Sequence, residues 1–454
     1  MTTADDSSLN KPVTIRASSK TVALTAAPPI FLPTDVRGLL LLLVLALLPF
    51  QVWGVDVGTS KWDLANLVFV AFVASIGFGN GRAPLSGFFK AFFGIYIVIQ
   101  IVSFFAHGTP PARFASGFLW MTSIIVLFGR RTQVPLDASL AYRVILAGVV
   151  LMCTVLLYQL LWLRIDRPAG TMAEPSPAGL VALAAGAGLI VSAKWATPSE
   201  RWIGYAAALG FTFISFIIKT THIISFAIAL IVVGIVSRAF TLRTLAIVAP
   251  LLGVLYWFVT NDAHYTSRVD VYNASSNLSL LSWLQGFDQM VASLRRYPVI
   301  GAGLGGTGQF DFYSSYSEEL FRAGIGDLNR LDAYSGFFRL TIELGPIVAG
   351  IMLLVLGGRL VEMWHATGDG RLPLTEESKH QVFLFTFSVT LLAGILLKEP
   401  TYSRSQFVVS MLLFCTVPLR ATITLPGSVA RHFGMIAARP AGPQVDGPRE
   451  RVAV

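Results

Sequence analysis

The sequence predicts an all-α polytopic membrane protein with about twelve transmembrane helices and one large loop. Two observations on composition support this prediction: 54% of the 454 residues are hydrophobic, and only 13% are charged. A typical soluble domain has roughly 25% charged residues. The third observation is that uncharged apolar runs of about 15 to 20 residues recur along the whole chain.

These apolar runs define the predicted spans in order. They lie at 38–54, 64–79, 91–106, 114–129, 144–163, 178–193, 202–218, 223–237, 244–260, 344–358, 381–397 and 405–419. Each run is close to the ~17–25 residues that a helix needs to cross a bilayer, and flanking residues would extend the shorter ones. Cys153 and Cys415 both fall inside runs, which argues against a disulfide framework and against a thiolate metal site.

Polar segments flank the apolar runs. Residues 1–35 precede the first run, which lies too far from the amino terminus for a cleaved signal peptide. Residues 420–454 are basic and rich in Pro, Gly and Ala. We expect both segments to be cytoplasmic and disordered, and we expect residues 36–419 to form the transmembrane domain.

The distribution of Lys and Arg predicts that both termini are cytoplasmic. In that orientation the inner segments contain 21 of the 34 basic residues, and the short outer loops contain 7. The boundary between the seventh and eighth spans is only Lys219–His222, but an unbroken helix over 202–237 would be about 54 Å long, far more than the bilayer core. The net charge of +9 therefore reflects cytoplasmic flanks rather than nucleic-acid binding.

One long hydrophilic segment, residues 261–335, separates two spans on the outer side. Ordered loops of this length are usually functional. Apolar residues spaced four and three apart predict an amphipathic helix that ends before Pro298 and lies on the membrane surface or caps the bundle. These residues are Leu280, Leu284, Phe287, Val291 and Leu294. A second short helix is predicted over 314–324, and the many aromatic residues nearby are either sugar-stacking platforms or packing residues.

Gly301, Gly303 and Gly306 have the spacing of a dinucleotide-binding turn. That motif requires a buried strand before it and a crossover helix after it, whereas the predicted context is an amphipathic helix followed by a loop. We therefore predict no NAD, no FAD and no other cofactor. The glycines predict instead a tight turn that brings backbone N–H groups close to an anion or to another helix.

Three motifs, in order, resemble those of bacterial O-antigen ligases and Wzy-type polysaccharide polymerases. "FIIKTTHIISFAIALIV" (216–232) is similar to the Ser-(Arg/Lys)-(Gly/Thr) motif of that superfamily at the outer end of a helix. "WLQGFDQM" (283–290), followed by "RRYPVIGAGLGGTGQF" (295–310), resembles its W-x-x-(G/A)-x-x-x-(I/M)…P-(L/V)-x-G-x-G-x-G segment. "DAYSGFFRLTIELGPIVAG" (332–350) resembles the element that leads into the next span through Glu-Leu-Gly.

The resemblance implies a GT-C-like fold and an inverting, metal-independent glycosyl transfer in the bacterial inner membrane. The donor would be an undecaprenyl-diphosphate-linked glycan, attacked by an acceptor sugar hydroxyl on the periplasmic face. Membrane lipid, a chain-length regulator and a flippase of the same pathway would be its partners. The residue inventory agrees with a metal-independent reaction, since the sequence has neither a DxD motif nor a His, Cys and carboxylate cluster with metal-ligand spacing.

A departing diphosphate needs cations or N–H donors, and Arg provides charge without deprotonating. We predict that Arg268 binds the diphosphate, and we count it among the catalytic residues. Lys219, Arg295, Arg296, Arg339, Gly301 and Gly303 are assigned to substrate binding. Simpler roles stay open: Lys219 could anchor a helix end, Arg295 and Arg296 could contact lipid headgroups, and Arg339 could form a structural ion pair with Glu343. His222 is a helix-end residue or a ligand.

The sequence departs from the superfamily at its usual histidine, because Tyr334 occupies that position and Ser335 follows it. A free Tyr has a pKa of about 10 and is a poor base at neutral pH. Either Tyr334 orients the substrate, or Asp332 acts as the base, with His264 as a further possibility. Tyr334 and Asp332 are assigned to catalysis.

The leading functional prediction is a polymerase of exopolysaccharide or O-antigen repeat units. A ligase that transfers finished glycan to lipid A core or another acceptor is the close alternative. A transporter or flippase is the alternative from another class, although its charges are expected near the middle of broken spans rather than in one outer loop.

Overall fold

A computed structural model describes the helical bundle and much of the long loop. It describes residues 35–51, 54–57, 60–77, 87–130, 134, 136–172, 174–218, 220–261, 266, 277–324, 330, 333–368, 372–399 and 404–419. Apart from Asp35, the predicted disordered termini lie outside these residues. Lys219, Arg268, Asp332 and His264 lie outside them as well.

The described residues form a succession of helices and one short hairpin. The helices are α1 Val36–Leu47, α2 Leu64–Gly77, α3 Gly87–His107, α4 Pro111–Gly129, α5 Ala138–Leu161, α6 Pro175–Ser192, α7 Pro198–Ile217, α8 Ile223–Val236, α9 Leu242–Asn261, α10 Leu278–Arg296, α11 Ser315–Arg322, α12 Gly336–Gly368, α13 Glu376–Leu397 and α14 Ser405–Thr416. Strands β1 Gly54–Val57 and β2 Ser60–Asp63 pair antiparallel between α1 and α2. The run 38–54 predicted a helix up to Gly54, but α1 ends at Leu47, just before Pro49, which limits helical continuation.

Six helices in the described part of the chain are long and apolar enough to cross a membrane. They are Phe89–His107, Pro111–Gly129, Ala138–Leu161, Pro175–Trp195, Gly336–Gly368 and Glu376–Leu397. Shorter apolar helices of 10–17 residues accompany them. The prediction of an all-α membrane protein is thereby confirmed at the level of class. Within the described residues, the small β-hairpin is the one element that is not helical.

Helices α6 and α13 lie at the centre of the bundle. Small residues let the two helices approach closely: a Cβ added at Gly188 would lie 2.7 Å from the ring of Phe383, and one added at Gly394 would lie 2.5 Å from Leu180. Close contact through small residues is the usual way in which helices associate in a membrane, where no hydrophobic force drives them together. Leu180, near the start of α6, meets the end of α13, and Gly188, near the end of α6, meets the first half of α13. The two helices are therefore antiparallel.

Polar contacts gather at the end of the bundle that carries α10 and α11, which we call the loop end. The Oδ2 atom of Asp63 accepts a hydrogen bond from the backbone N of Ser405 at 3.2 Å. The Nη2 atom of Arg404 lies 2.8 Å from Oε1 of Glu174. These contacts bring together the starts of α2, α6 and α14.

The opposite end, which we call the far end, has its own polar contacts. The Nζ atom of Lys379 lies 3.0 Å from Oε1 of Glu200, which joins the start of α13 to the start of α7. The Nζ atom of Lys194 donates to the carbonyl of Arg238 at 3.1 Å, which joins the end of α6 to the end of α8. Successive helices in this part of the bundle therefore alternate in direction.

Both predicted helices of the long loop are present as α10 and α11, but the buried face of α10 differs from the prediction. The predicted apolar stripe is only half buried, and Phe287 remains 41% exposed. The buried face is mostly polar, although it includes Leu281 and Met290. Gln285 donates to Ser317 Oγ at 2.9 Å, Gln289 donates to the Arg330 carbonyl at 3.0 Å, and Ser293 donates to the Ile342 carbonyl at 3.5 Å. Helix α10 thus caps the bundle and holds the loop through hydrogen bonds.

Candidate functional site

Residues 299–308, which we call the glycine loop, dock on a break in α12. The backbone of Gly345 has φ of 78° and ψ of 167°, a conformation that L side chains rarely adopt, and Pro346 follows it. The backbone N of Ala302 donates to the carbonyl of Ile342 at 2.6 Å. A Cβ added at Gly301 would lie 2.5 Å from the backbone N of Gly345, so the two backbones touch at this point.

The glycine loop also contacts α3 and the start of α4. The backbone N of Leu304 donates to Oε1 of Gln100 at 3.2 Å. A Cβ at Gly303 would lie 2.8 Å from Cβ of Ser103, and one at Gly305 would lie 2.8 Å from Cβ of Arg113. The predicted approach of the glycines to another helix is therefore confirmed, while a contact of Gly301 or Gly303 with substrate stays a prediction.

Residues 333–336, which we call the return turn, lead the chain into α12 with a strained backbone. Ala333 and Tyr334 have φ values of 58° and 60°, in the left-handed region that non-glycine residues seldom occupy. Ser335 Oγ donates to the carbonyl of Leu396 at 2.5 Å. A Cβ at Gly336 would lie 2.8 Å from the Ile395 carbonyl, so the turn packs directly against the end of α13. Strain of this kind persists only where surrounding contacts fix the backbone.

Helix α10 fixes the return turn from the other side. A Cβ added at Gly286 would overlap the carbonyl oxygen of Ala333. Trp283, three residues earlier, donates its indole N–H to the carbonyl of Leu397 at 3.2 Å. Trp283 and Gly286 are the two residues that define the W-x-x-(G/A) part of the sequence motif, and both serve to seat α10 on the return turn and on α13.

An ion pair lies just inside α12. Arg339 Nε donates to Oε1 of Glu343 at 3.0 Å, and the Glu343 side chain is fully buried, whereas Arg339 keeps 17% of its side chain exposed. The same carboxylate oxygen accepts a hydrogen bond from Thr307 Oγ1 at 3.0 Å. The ion pair that the sequence predicted as one alternative is present, and the contact with Thr307 ties it to the glycine loop.

A second charged group lies beside the return turn at the loop end. His222 Nε2 lies 3.0 Å from Oε1 of Glu399, and Arg404 Nη1 lies 3.9 Å from Oε2 of Glu399. Arg404 also pairs with Glu174. Glu399 reaches the return turn as well, because a Cβ at Gly336 would lie 3.1 Å from its carbonyl oxygen.

Burial and the neighbouring charges together set the charge states of this group. Burial lowers the pKa of His222, and this effect outweighs the attraction of Glu399. Burial alone would raise the pKa of Glu399, but the hydrogen bond from His222 and the neighbouring cations Arg404 and Lys398 lower it. Neutral His222 therefore donates from Nε2 to an ionised Glu399. Within the described part of the chain, Nδ1 of His222 has no hydrogen-bond partner.

Of the predicted site residues, Gly301 lies against α12 near Gly345, Arg339 lies one turn into α12, Gly303 lies against α3, and Tyr334 lies in the return turn just before α12. Arg295 and Arg296 are exposed at the end of α10. The Arg296 guanidinium lies 5.6 Å from the centroid of the Tyr297 ring, and that ring packs against His107 of α3 at 4.3 Å. Arg296 thus lies on the α3 side of the loop end. The places of Lys219, Arg268 and Asp332 lie outside the described residues.

Sequence reasoning assigned no site role to Glu399, Thr307 or Glu343. The Glu-Leu-Gly motif pointed at Glu343, but only as one end of an ion pair. Nothing in the sequence links Glu399 to His222, because 177 residues separate them.

The described residues contain no group of three or more His, Cys, Asp or Glu side chains that could hold a metal ion. The chain matches no known protein family model and no curated protein sequence.

Proposed function

We propose that the protein transfers a glycan from an undecaprenyl-diphosphate carrier to an acceptor sugar hydroxyl, with inversion at the anomeric carbon. One observation supports this proposal above the others. The motifs 283–310 and 332–350, which are neighbours in the sequence, contact each other at the loop end, and the more distant motif 216–232 lies beside them there. The glycine loop contacts Glu343 through Thr307, and His222 contacts Glu399, whose carbonyl lies against Gly336.

The chemistry of such a transfer fits the residues at the loop end. The leaving diphosphate gains negative charge as the glycosidic bond breaks, and guanidinium groups stabilise it most strongly where water is scarce. Arg339 is half-buried at the loop end, and the exposed Arg295 and Arg296 lie on the same end. Arg268 and Lys219 belong to the neighbouring segments of the chain. The acceptor hydroxyl loses its proton to Asp332, or Tyr334 orients it.

The orientation of the bundle forms part of the proposal. We propose that twelve helices cross the bacterial inner membrane in alternating directions: the six named above, together with α1, α2, α7, α8, α9 and α14. The loop end then faces the periplasm, where lipid-linked repeat units are used. The 12-residue helices α1 and α14 are about 18 Å long, so the membrane would be thinned beside them or covered by protein.

The product is proposed to be a polymer of exopolysaccharide or O-antigen repeat units. Tyr334 at the position of the usual histidine favours this product over a ligase reaction with lipid A core. In either reaction the carrier diphosphate leaves from the same donor, so the cationic residues have the same role.

The decisive experiment is a transfer assay with the purified full-length chain and undecaprenyl-diphosphate-linked repeat units. Arg268→Ala should abolish the product while the protein remains in the membrane at normal level. Arg268→Lys should restore little activity, because a point charge cannot replace a bidentate guanidinium. Arg322→Ala is the matched control, since Arg322 is in the same loop, is 79% exposed and pairs only weakly with Glu318 at 3.6 Å. Product formation by Arg268→Ala at the level of Arg322→Ala would refute this diphosphate site.

A further inference from the structure

Glu343 is a buried carboxylate at the point where the glycine loop meets α12. Its side chain is 0% exposed, although it lies only two residues before the break at Gly345. A single oxygen of this carboxylate, Oε1, accepts from Thr307 Oγ1 and from Arg339 Nε, each at 3.0 Å. One buried atom therefore connects the loop to a cation on the helix.

The burial of the two partners is unequal. Arg339 keeps 17% of its side chain exposed at the loop end, while Glu343 lies entirely behind it. A buried ion pair contributes little to stability, because the desolvation of both charges offsets their attraction. Its benefit is geometric: a guanidinium held at Nε by a fixed carboxylate loses its rotational freedom before any anion arrives.

The surroundings of Glu343 are polar as well. Tyr96, Gln100 and Ser103 follow one face of α3 at intervals of four and three, and each is at most 2% exposed. Gln100 and Ser103 contact the glycine loop at Leu304 and Gly303. The loop is thus held between a polar stripe on α3 and the Glu343 carboxylate, which fixes its position relative to Arg339.

We propose that Glu343 is a positioning residue of the anion site: it orients the Arg339 guanidinium and sets the position of the glycine loop for a lipid-linked diphosphate. This inference rests on the proposed function for the identity of the anion. Glu343 does not touch the substrate. It acts through Arg339 on one side and through Thr307 on the other.

Glu343→Gln tests the charge while preserving the shape. The amide oxygen can still accept from Thr307, but it no longer balances the charge of Arg339. An anion that must itself order the released Arg339 side chain binds about twofold to tenfold more weakly. The donor KM and the Kd for undecaprenyl diphosphate should rise by this factor, with a smaller change in kcat.

Helix α12 itself provides the matched control. Arg359 and Glu362 form a second buried ion pair towards the far end, and Arg359 also donates to the carbonyls of Phe414 and Val417. Glu362→Gln removes a comparable charge from the same helix, away from the glycine loop. It should lower the melting temperature at least as much as Glu343→Gln and leave the KM and the Kd unchanged.

Two assays use the full-length chain: binding of undecaprenyl diphosphate in nanodiscs, and transfer kinetics. Both assays also include Thr307→Val, which removes only the hydrogen bond from the glycine loop. Thr307→Val should raise the Kd by a smaller factor than Glu343→Gln. Equal Kd values for Glu343→Gln and Glu362→Gln would overturn the proposal, as would an unmodified chain that does not bind the diphosphate. A chain that binds undecaprenyl diphosphate in a Glu343-dependent way without transferring glycan would refute the proposed function alone.

Discussion

Tyr334 combines two properties that rarely occur together in one residue. It has a left-handed backbone at φ of 60°, and it stands where the resembling superfamily has its histidine. A tyrosine gains nothing locally from this conformation, because its Cβ is crowded there. The contacts of Ser335, Gly336 and Gly286 hold the turn in place, so the direction of the Tyr334 side chain is set by its neighbours.

The return turn gives a test of which group takes the acceptor proton. Asp332→Asn keeps the shape of the side chain but cannot take a proton, and we expect a loss of about 10²–10⁴-fold in the transfer rate. Tyr334→Phe should be mild, because it removes one hydroxyl, whereas Tyr334→Ala should be worse through lost packing. In-vitro extension of lipid-linked repeat units measures each variant. Full activity of Asp332→Asn together with an inactive Tyr334→Phe would make the tyrosine hydroxyl the essential group.

His222 and Glu399 predict how stability depends on pH. The folded state holds His222 neutral, so the unfolded state binds a proton more readily below the ordinary histidine pKa of 6.5. Stability from this residue is therefore complete above pH 6.5 and falls below it. Glu399, whose pKa is lowered, contributes stability above about pH 4.5 that is lost with further acidification. Lys398, Arg404 and Glu174 face the same pair.

We accordingly expect the melting temperature of the purified chain to fall between pH 7.5 and pH 5.5. His222→Gln should reduce this dependence, because the amide can donate to Glu399 but does not titrate. His365→Gln, which changes an exposed histidine near the far end of α12, is the control and should keep the full dependence. A slope that is the same in all three proteins would show that His222 is not the titrating group.

At the scale of elements, α10 determines where the return turn lies. Its polar face is buried because the loop and α12 provide hydrogen-bond partners for Gln285, Gln289 and Ser293. Its apolar stripe packs in part on Phe338, with the centroid of the Phe287 ring 5.9 Å from that of the Phe338 ring. The helix is therefore seated by contacts on two sides, and Gly286 lies at the closest of them.

Gly286→Ala should displace α10 from the return turn. In an ordinary helix position a change from Gly to Ala stabilises by about 0.5–1 kcal/mol, because Gly is more flexible when unfolded. At Gly286 the new methyl group would overlap the Ala333 carbonyl, so we expect a lower melting temperature and a loss of transfer activity. Gly210→Ala in α7 is the control, since nothing lies within 4 Å of its added Cβ. Thermal unfolding and transfer assays compare the two variants. Equal melting temperatures and equal transfer activities would contradict the close contact between α10 and the return turn.

At the scale of the whole molecule, contacts within each end of the bundle agree with the charge distribution. The loop end collects the segments that the positive-inside rule places outside, such as Glu174, His222 and Arg404. The far end collects Lys194, Arg238 and Lys379, which the rule places inside. Two independent lines of reasoning, from charge and from packing, thus divide the chain in the same way.

Reporter fusions test this orientation directly. A reporter that is active only outside the cytoplasm should be active when fused after Ser314, in the long loop, and silent when fused after Asp369, beyond the end of α12. A cytoplasmic reporter at the same two positions should give the complementary pattern. The reverse result would place the loop end in the cytoplasm and remove the basis for a periplasmic reaction.

The sequence by itself determined the membrane class, the presence of one long hydrophilic segment and the existence of α10 and α11. These features follow from the length and the period of apolar runs, which are local properties of the chain. Only the tertiary structure decided which face of α10 is buried. It also decided that the Ala333 carbonyl packs against Gly286 and that Glu343 accepts hydrogen bonds from both Thr307 and Arg339. Each of these depends on a hydrogen-bond partner or a packing surface that another segment provides, and a pattern within one segment does not specify the surface it will meet. The segments that carry the resemblance contact their neighbours through their glycines and through Trp283.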